Sequence, residues 1–135
     1  MDLEILKIAS NTENHKFIDN YTHISKKKSP VCGDEIEITL KIKNDKISDF
    51  GYQGKSCVYC QASVSLLSRK IIKKKITYVN KLIFIAENFF SSKNTEFPNE
   101  WNVFNKIFNK NNISRKECLM LPFTTLSKIT KKLSE

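Results

Sequence analysis

The feature that most constrains this chain is a run with apolar residues at every second position, followed by a turn and a second extended stretch. Ile36, Ile38, Leu40 and Ile42 alternate with Glu37, Thr39, Lys41 and Lys43, which is the period of a strand with one buried face. "NDK" at 44–46 supplies a turn, and 47–52 reads as the antiparallel partner. A third strand is expected from the chain upstream of Pro30. The stretch "SKKKSP" at 25–30 itself reads as a polar loop, with Pro30 favouring an extended Ser29.

Beyond Gly54 the pattern changes to helical spacing. One helix is predicted over 62–72, carrying Leu66, Leu67, Ile71 and Ile72, with "KKK" at 73–75 as its end. A very apolar second helix spans 79–90, and "SSKNTEFPNE" follows as a loop. Pro98 leads into a short helix through Trp101, Phe104, Ile107 and Phe108. The apolar residues of 82–90 and 101–108 read as core, with a partner surface at Trp101 and Phe104 as the alternative. A last helix over 118–133 sets Leu126, Ile129 and Leu133 on one face. A small antiparallel sheet of about three strands packed against a layer of C-terminal helices is an α+β fold. At 135 residues one domain is expected, with a short helix and connecting segment over 1–29 and a core over 30–133.

No apolar run is long enough to cross a membrane, and the opening residues carry no basic stretch followed by an apolar core. The expectation is a cytoplasmic protein, where thiols stay reduced and four cysteines serve as ligands or reactive groups. The formal charge of +9 suggests an acidic partner or nucleic acid. Against nucleic acid, the chain is rich in Lys, Asn and Ile, which share A/T-rich codons, and Arg occurs only twice. A phosphate reader draws on the planar arginine fork. The lysine runs at 26–28 and 73–75 therefore read as solvated, with docking to an acidic protein as the alternative. No phosphate loop, Ser/His/Asp set or HExxH motif is present.

Cys32 stands at the mouth of the first strand of the hairpin and Cys57 follows the second, so pairing brings both thiols to one end of the sheet. Asp34 lies two residues after Cys32. Cys118 opens the last helix, where free backbone N–H groups favour a thiolate, and Lys55, Arg115 and Lys116 add positive charge. If that helix abuts the strand ends, three thiols and a carboxylate converge. Thiolates hold zinc or iron–sulfur clusters, and an aspartate among them is a harder, more exchangeable donor. The alternative is cysteines as small buried residues. Cys60 completes "CVYC", a pair with metal-ligand and redox spacing; it is a fifth ligand, a spare sulfur carrier or a core residue.

Three segments in order, "SPVCGDEIEITLKI", "YQGKSCVYCQASVSLLSRKI" and "SRKECLMLPFTTLSKI", resemble the NifU/IscU/SufU-type iron–sulfur cluster assembly scaffolds. The resemblance implies that Cys32, Asp34, Cys57 and Cys118 fall on the family's ligand positions, at one exposed end of an α+β domain. It implies a nascent [2Fe–2S] cluster or Zn2+ held there, sulfur received from a cysteine desulfurase, and cluster-accepting apo-proteins as clients. The long interval from Cys57 to Cys118, and Arg115 before it, look closest to the SufU branch. That branch implies Cys32 as persulfide acceptor, whereas the IscU-like branch implies Cys118. Arg115 or Lys55 would stabilise the thiolate or position the persulfide.

Three features depart from the pattern. Glu117 stands where the IscU-like branch has a ligand histidine, and His15 and His23 lie far upstream and read as solvated. "LMLPF" does not reproduce the proline-rich segment that binds the co-chaperone system. Cys60 replaces the usual serine. The sequence thus points to a scaffold or sulfur-transfer protein rather than a conventional enzyme. The alternatives are a zinc-dependent sulfurtransferase partner of the desulfurase, a basic zinc module for nucleic acid, and a family member kept for interaction alone.

Overall fold

The computed structural model describes residues 3–91 and 96–133. Helix α1 (Leu3–Ala9) is followed by strands β1 (His23–Lys28), β2 (Glu35–Lys43) and β3 (Lys46–Lys55). Helices α2 (Val58–Ile71) and α3 (Ile76–Asn88) come next, then two short 3-10 segments, Asn99–Lys106 and Lys110–Arg115. Helix α4 (Lys116–Leu133) ends the described chain. The sheet is antiparallel in the order β1-β2-β3. The α+β architecture is therefore as the sequence indicates. Of the expected loop after α3, residues 92–95 lie outside the described residues.

The hairpin forms because its turn and its faces agree. Asn44 and Asp45 both adopt positive φ, 54° and 61°, the geometry of a two-residue turn whose twist matches paired strands. Ile36, Ile38 and Leu40 point to the helices with Ile47, Phe50 and Tyr52 from β3, each at most 2% exposed. The register slips between Lys41 and Ile42. There the Ser48 hydroxyl donates to the Lys41 carbonyl at 2.9 Å.

The reading of 25–30 as a loop is corrected: His23–Lys28 pairs with β2 along its whole length. It carries no apolar alternation because it is an edge strand, and lysine is a common way to blunt such an edge. Helix α2 begins at Val58 rather than 62, and α3 at Ile76 rather than 79. The partner-surface alternative for Trp101 and Phe104 is also overturned. Both are buried, and Phe104 joins Phe97, Phe108 and Phe123 in a cluster of edge-on and tilted ring contacts. His15 is exposed, as expected, with its ring against Tyr52. No helix among the described residues is long and apolar enough to cross a membrane.

Two glycines set the end of the sheet that matters below. Gly54 has φ of +147°, and a Cβ there would run into the Glu35 carbonyl of the paired strand. Gly33 has φ of +75° but open space around it. Gly54→Ala is therefore expected to cost at least about 2 kcal/mol through strain plus collision with backbone. Gly33→Ala is expected to cost only about 1–2 kcal/mol, the left-handed penalty alone. Urea unfolding of the two variants, compared at unchanged m-value, checks the difference.

Candidate metal centre

The site is assembled from three backbone elements. The first is the loop 29–34. Its ends are closed by the Ser29 N–H donating to the Asp34 carbonyl at 2.7 Å and the Gly33 N–H donating to the Ser29 carbonyl at 2.9 Å. Inside it, the Ser29 hydroxyl accepts from the N–H groups of Val31 and Cys32 at 3.3 and 3.4 Å. Positive φ at Gly33 lets the chain turn so sharply. Cys32 is thereby held, exposed, at the tip. The role of Ser29 was missed in the sequence; a serine before proline at the start of a turn is the signal that could have found it.

The second element is the start of α2. Because Glu35 pairs with Lys55, the chain leaving β3 emerges beside the chain entering β2. Cys57 is the N-cap of α2, and its carbonyl accepts from Gln61 N–H at 3.0 Å. Its own side chain makes no cap bond. Instead Asp34, only 9% exposed, accepts from the Cys57 backbone N–H through Oδ2 at 3.1 Å. That charge-assisted bond pins the carboxylate at the helix start.

The third element is the first turn of α4. Cys118 is its third residue, and the preceding Arg115 lays its guanidinium over the Tyr59 ring at 5.1 Å, tying α4 to α2. Ser63 of α2 adds a bond to the Leu119 carbonyl at 2.6 Å. These contacts bring the donor atoms of Cys32, Asp34 and Cys118 within 4.8 Å of one another. The convergence that the sequence made conditional on α4 packing is met for these three.

Cys57 and Cys60 stand outside that set. Cys57 is half-buried, yet its thiol and that of Cys32 both make hydrogen-bonding contacts with Cys118. Cys60 is fully buried in the core. Lys55, Arg115, Lys116 and Glu117 are exposed. The set suits a thiophilic ion or cluster: two thiols and one carboxylate, with Cys32 at the surface and the Cys57 thiol alongside.

One electrostatic expectation is reversed. Burial, followed by the hydrogen bonds that the Cys118 S–H donates to the Cys57 and Cys32 sulfurs, pushes the Cys118 thiol up rather than down. The helix N-terminus is outweighed because removing a thiolate from water costs more than the dipole returns. Burial likewise pushes Cys60 from 9.0 to about 12. Both thiols are neutral in the folded chain where the unfolded chain has already ionised them. Between 9.0 and about 12, then, the unfolded state holds fewer protons at Cys60, and stability falls as pH rises through that window. Cys60→Ser is expected to flatten part of the decline in urea midpoint of the reduced protein. Alkylation at neutral pH is expected to modify Cys32 first, with Cys60 and Cys118 at least about tenfold slower; mass mapping over time checks the order.

The comparisons with known proteins agree with this geometry. The model of the NifU-like N terminal domain matches residues 2–92. The chain is 32% identical over 130 residues to the iron–sulfur cluster assembly scaffold protein IscU of Thermotoga maritima, covering 96% of this chain and 92% of that one. A local match, 35% over 48 residues, links it to the zinc-dependent sulfurtransferase SufU of Bacillus subtilis, covering 36% of this chain and 33% of that one. Among solved structures, it superposes with a TM-score of 0.86 and 27% identity on a candidate iron–sulfur cluster assembly scaffold protein for the SUF system from Fervidobacterium islandicum AW-1. That superposition covers 96% of both chains. With a family model covering most of its length and a relative matched nearly end to end, the chain belongs to the NifU-like N-terminal domain family.

Proposed function

We propose that the chain is an iron–sulfur cluster assembly scaffold, residues 1–135 acting as one domain, with a nascent [2Fe–2S] cluster as its cargo. The observation that carries this is the convergence of Cys32, Asp34 and Cys118 within 4.8 Å in a member of this family. Cys57 is the proposed fourth ligand, supported by its contact with Cys118. Asp34 is the exchangeable donor, since a hard carboxylate oxygen competes poorly with thiolates for soft iron. Its partners would be a cysteine desulfurase as sulfur source and apo-proteins as cluster acceptors, which a relative named as an assembly scaffold implies.

Sulfur acceptance falls to Cys32, the exposed thiol of the set. Its thiolate would attack the terminal sulfur of the desulfurase persulfide. A new S–S bond forms on Cys32, the old one breaks, and the desulfurase cysteine leaves as thiolate. Arg115, exposed and stacked on Tyr59 on the neighbouring helix start, is the proposed positioning cation.

A second reading is a zinc-dependent sulfurtransferase, favoured by the local match to the Bacillus subtilis protein. The donor set fits zinc as well as iron. One experiment separates them: reconstitution without oxygen with iron, cysteine and a cysteine desulfurase, followed by assay of iron, zinc and acid-labile sulfide per chain. Iron and sulfide in equal amounts, lost in Cys32→Ala, are expected for the scaffold. Zinc with faster desulfurase turnover and no sulfide would replace it with the sulfur-relay reading. Asp34→Ala is expected to retain the cluster and slow its release to an acceptor apo-protein; unchanged release would remove Asp34 from that role.

A further inference from the structure

Cys60 is the one cysteine the proposed site leaves unused, and its position is particular. Cys57 is the N-cap of α2 and Cys60 the third residue of the helix. Side chains three apart on a helix are neighbours, with Cβ atoms about 5–6 Å apart, and an N-cap side chain reaches toward the third residue. The N-cap backbone is extended, at φ −73° and ψ 170°, and the Cys57 side chain makes no cap bond. Cys60 is fully buried behind it, while Cys57 is half-exposed among the other thiols. Ser56 hydrogen-bonds the Cys60 sulfur, and its oxygen is occupied by the Gln61 amide at 2.6 Å. That leaves the Ser56 hydroxyl hydrogen free to support negative charge developing on Cys60.

We propose that Cys57 and Cys60 form a redox-active dithiol that reduces sulfane sulfur to sulfide at the site of assembly. The inference rests on the sulfur-accepting reading above. It answers a need that reading leaves open, because persulfide sulfur must gain two electrons before it can bridge iron as sulfide. Sulfur first passes from Cys32 to Cys57 by attack of the Cys57 thiolate on the terminal sulfur, returning Cys32 as thiolate. Cys60 then attacks the Cys57 Sγ. The Cys57–Cys60 bond forms, the bond from Cys57 to the sulfane sulfur breaks, and that sulfur leaves as hydrosulfide with the Cys60 proton. Two thiols are oxidised to one disulfide and one sulfur atom is reduced to sulfide, so atoms and electrons balance. An external dithiol restores the pair for the next round. Burial of Cys60 confines the reaction to sulfur already delivered onto Cys57, because a free oxidant in solution does not reach it.

The test loads the reduced, metal-free full chain with inorganic polysulfide under nitrogen, removes the excess, and measures released sulfide, intact mass and the peptide map. Wild type is expected to release sulfide and lose two hydrogens, with the disulfide inside the peptide that carries both Cys57 and Cys60. Cys60→Ser and Cys60→Ala are expected to keep the sulfur as a persulfide, with sulfide release down at least about tenfold once intramolecular attack is lost. The second variant covers the case in which a buried hydroxyl disturbs folding. Equal release from the variants, or a disulfide mapped to other cysteines, overturns the inference while sulfur uptake still supports the scaffold reading. Failure of every protein to take up sulfur overturns both.

Discussion

With Glu35 paired to Lys55 and Lys43 to Lys46, the β2–β3 hairpin brings the chain entering β2 and the chain leaving β3 to one end of the sheet. The rest of the site depends on this register. A slip of one residue would turn Ile36, Ile38 and Leu40 away from the helices, so the buried face fixes the pairing strongly. Once it is fixed, Asp34 lies where its carboxylate meets the Cys57 amide, and the helix starting there carries Cys60 into the core. Gly54 allows the two strands to approach at that end, since any side chain would meet the Glu35 carbonyl.

The site balances access against burial. Cys32 sits on a loop closed by its own backbone and by Ser29, which gives exposure without slack. Cys118 is buried, and its raised pKa means that a bound metal must displace its proton. Asp34 differs from the thiols in being committed to a backbone amide, which orients its oxygen before any ion arrives.

Legibility followed physical periodicity. β2 and β3 were readable because alternation and a positive-φ turn act locally. β1 was not, because an edge strand of "HISKKK" is held by backbone pairing to β2 and carries no period of its own. Helix starts were read several residues late, since Val58–Gln61 and Ile76–Tyr78 begin without side-chain caps. Trp101 and Phe104 read as core with a partner surface as the alternative, and tertiary packing decided between them: Tyr78 meets Trp101, and Phe97, Phe108 and Phe123 meet Phe104.

For the site, the placement of Cys32, Asp34 and Cys57 at one sheet end was legible in sequence, because hairpin pairing is a local consequence of pattern. The arrival of Cys118 was not. It comes from 61 residues beyond Cys57, and only the packing of α4 against α2, through Arg115 on Tyr59 and Ser63 on Leu119, decides it. The protonation of Cys118 also belongs to tertiary structure. Sequence shows a thiol at a helix start, which favours charge, but only the fold shows how far that thiol is removed from water, and burial is the larger effect.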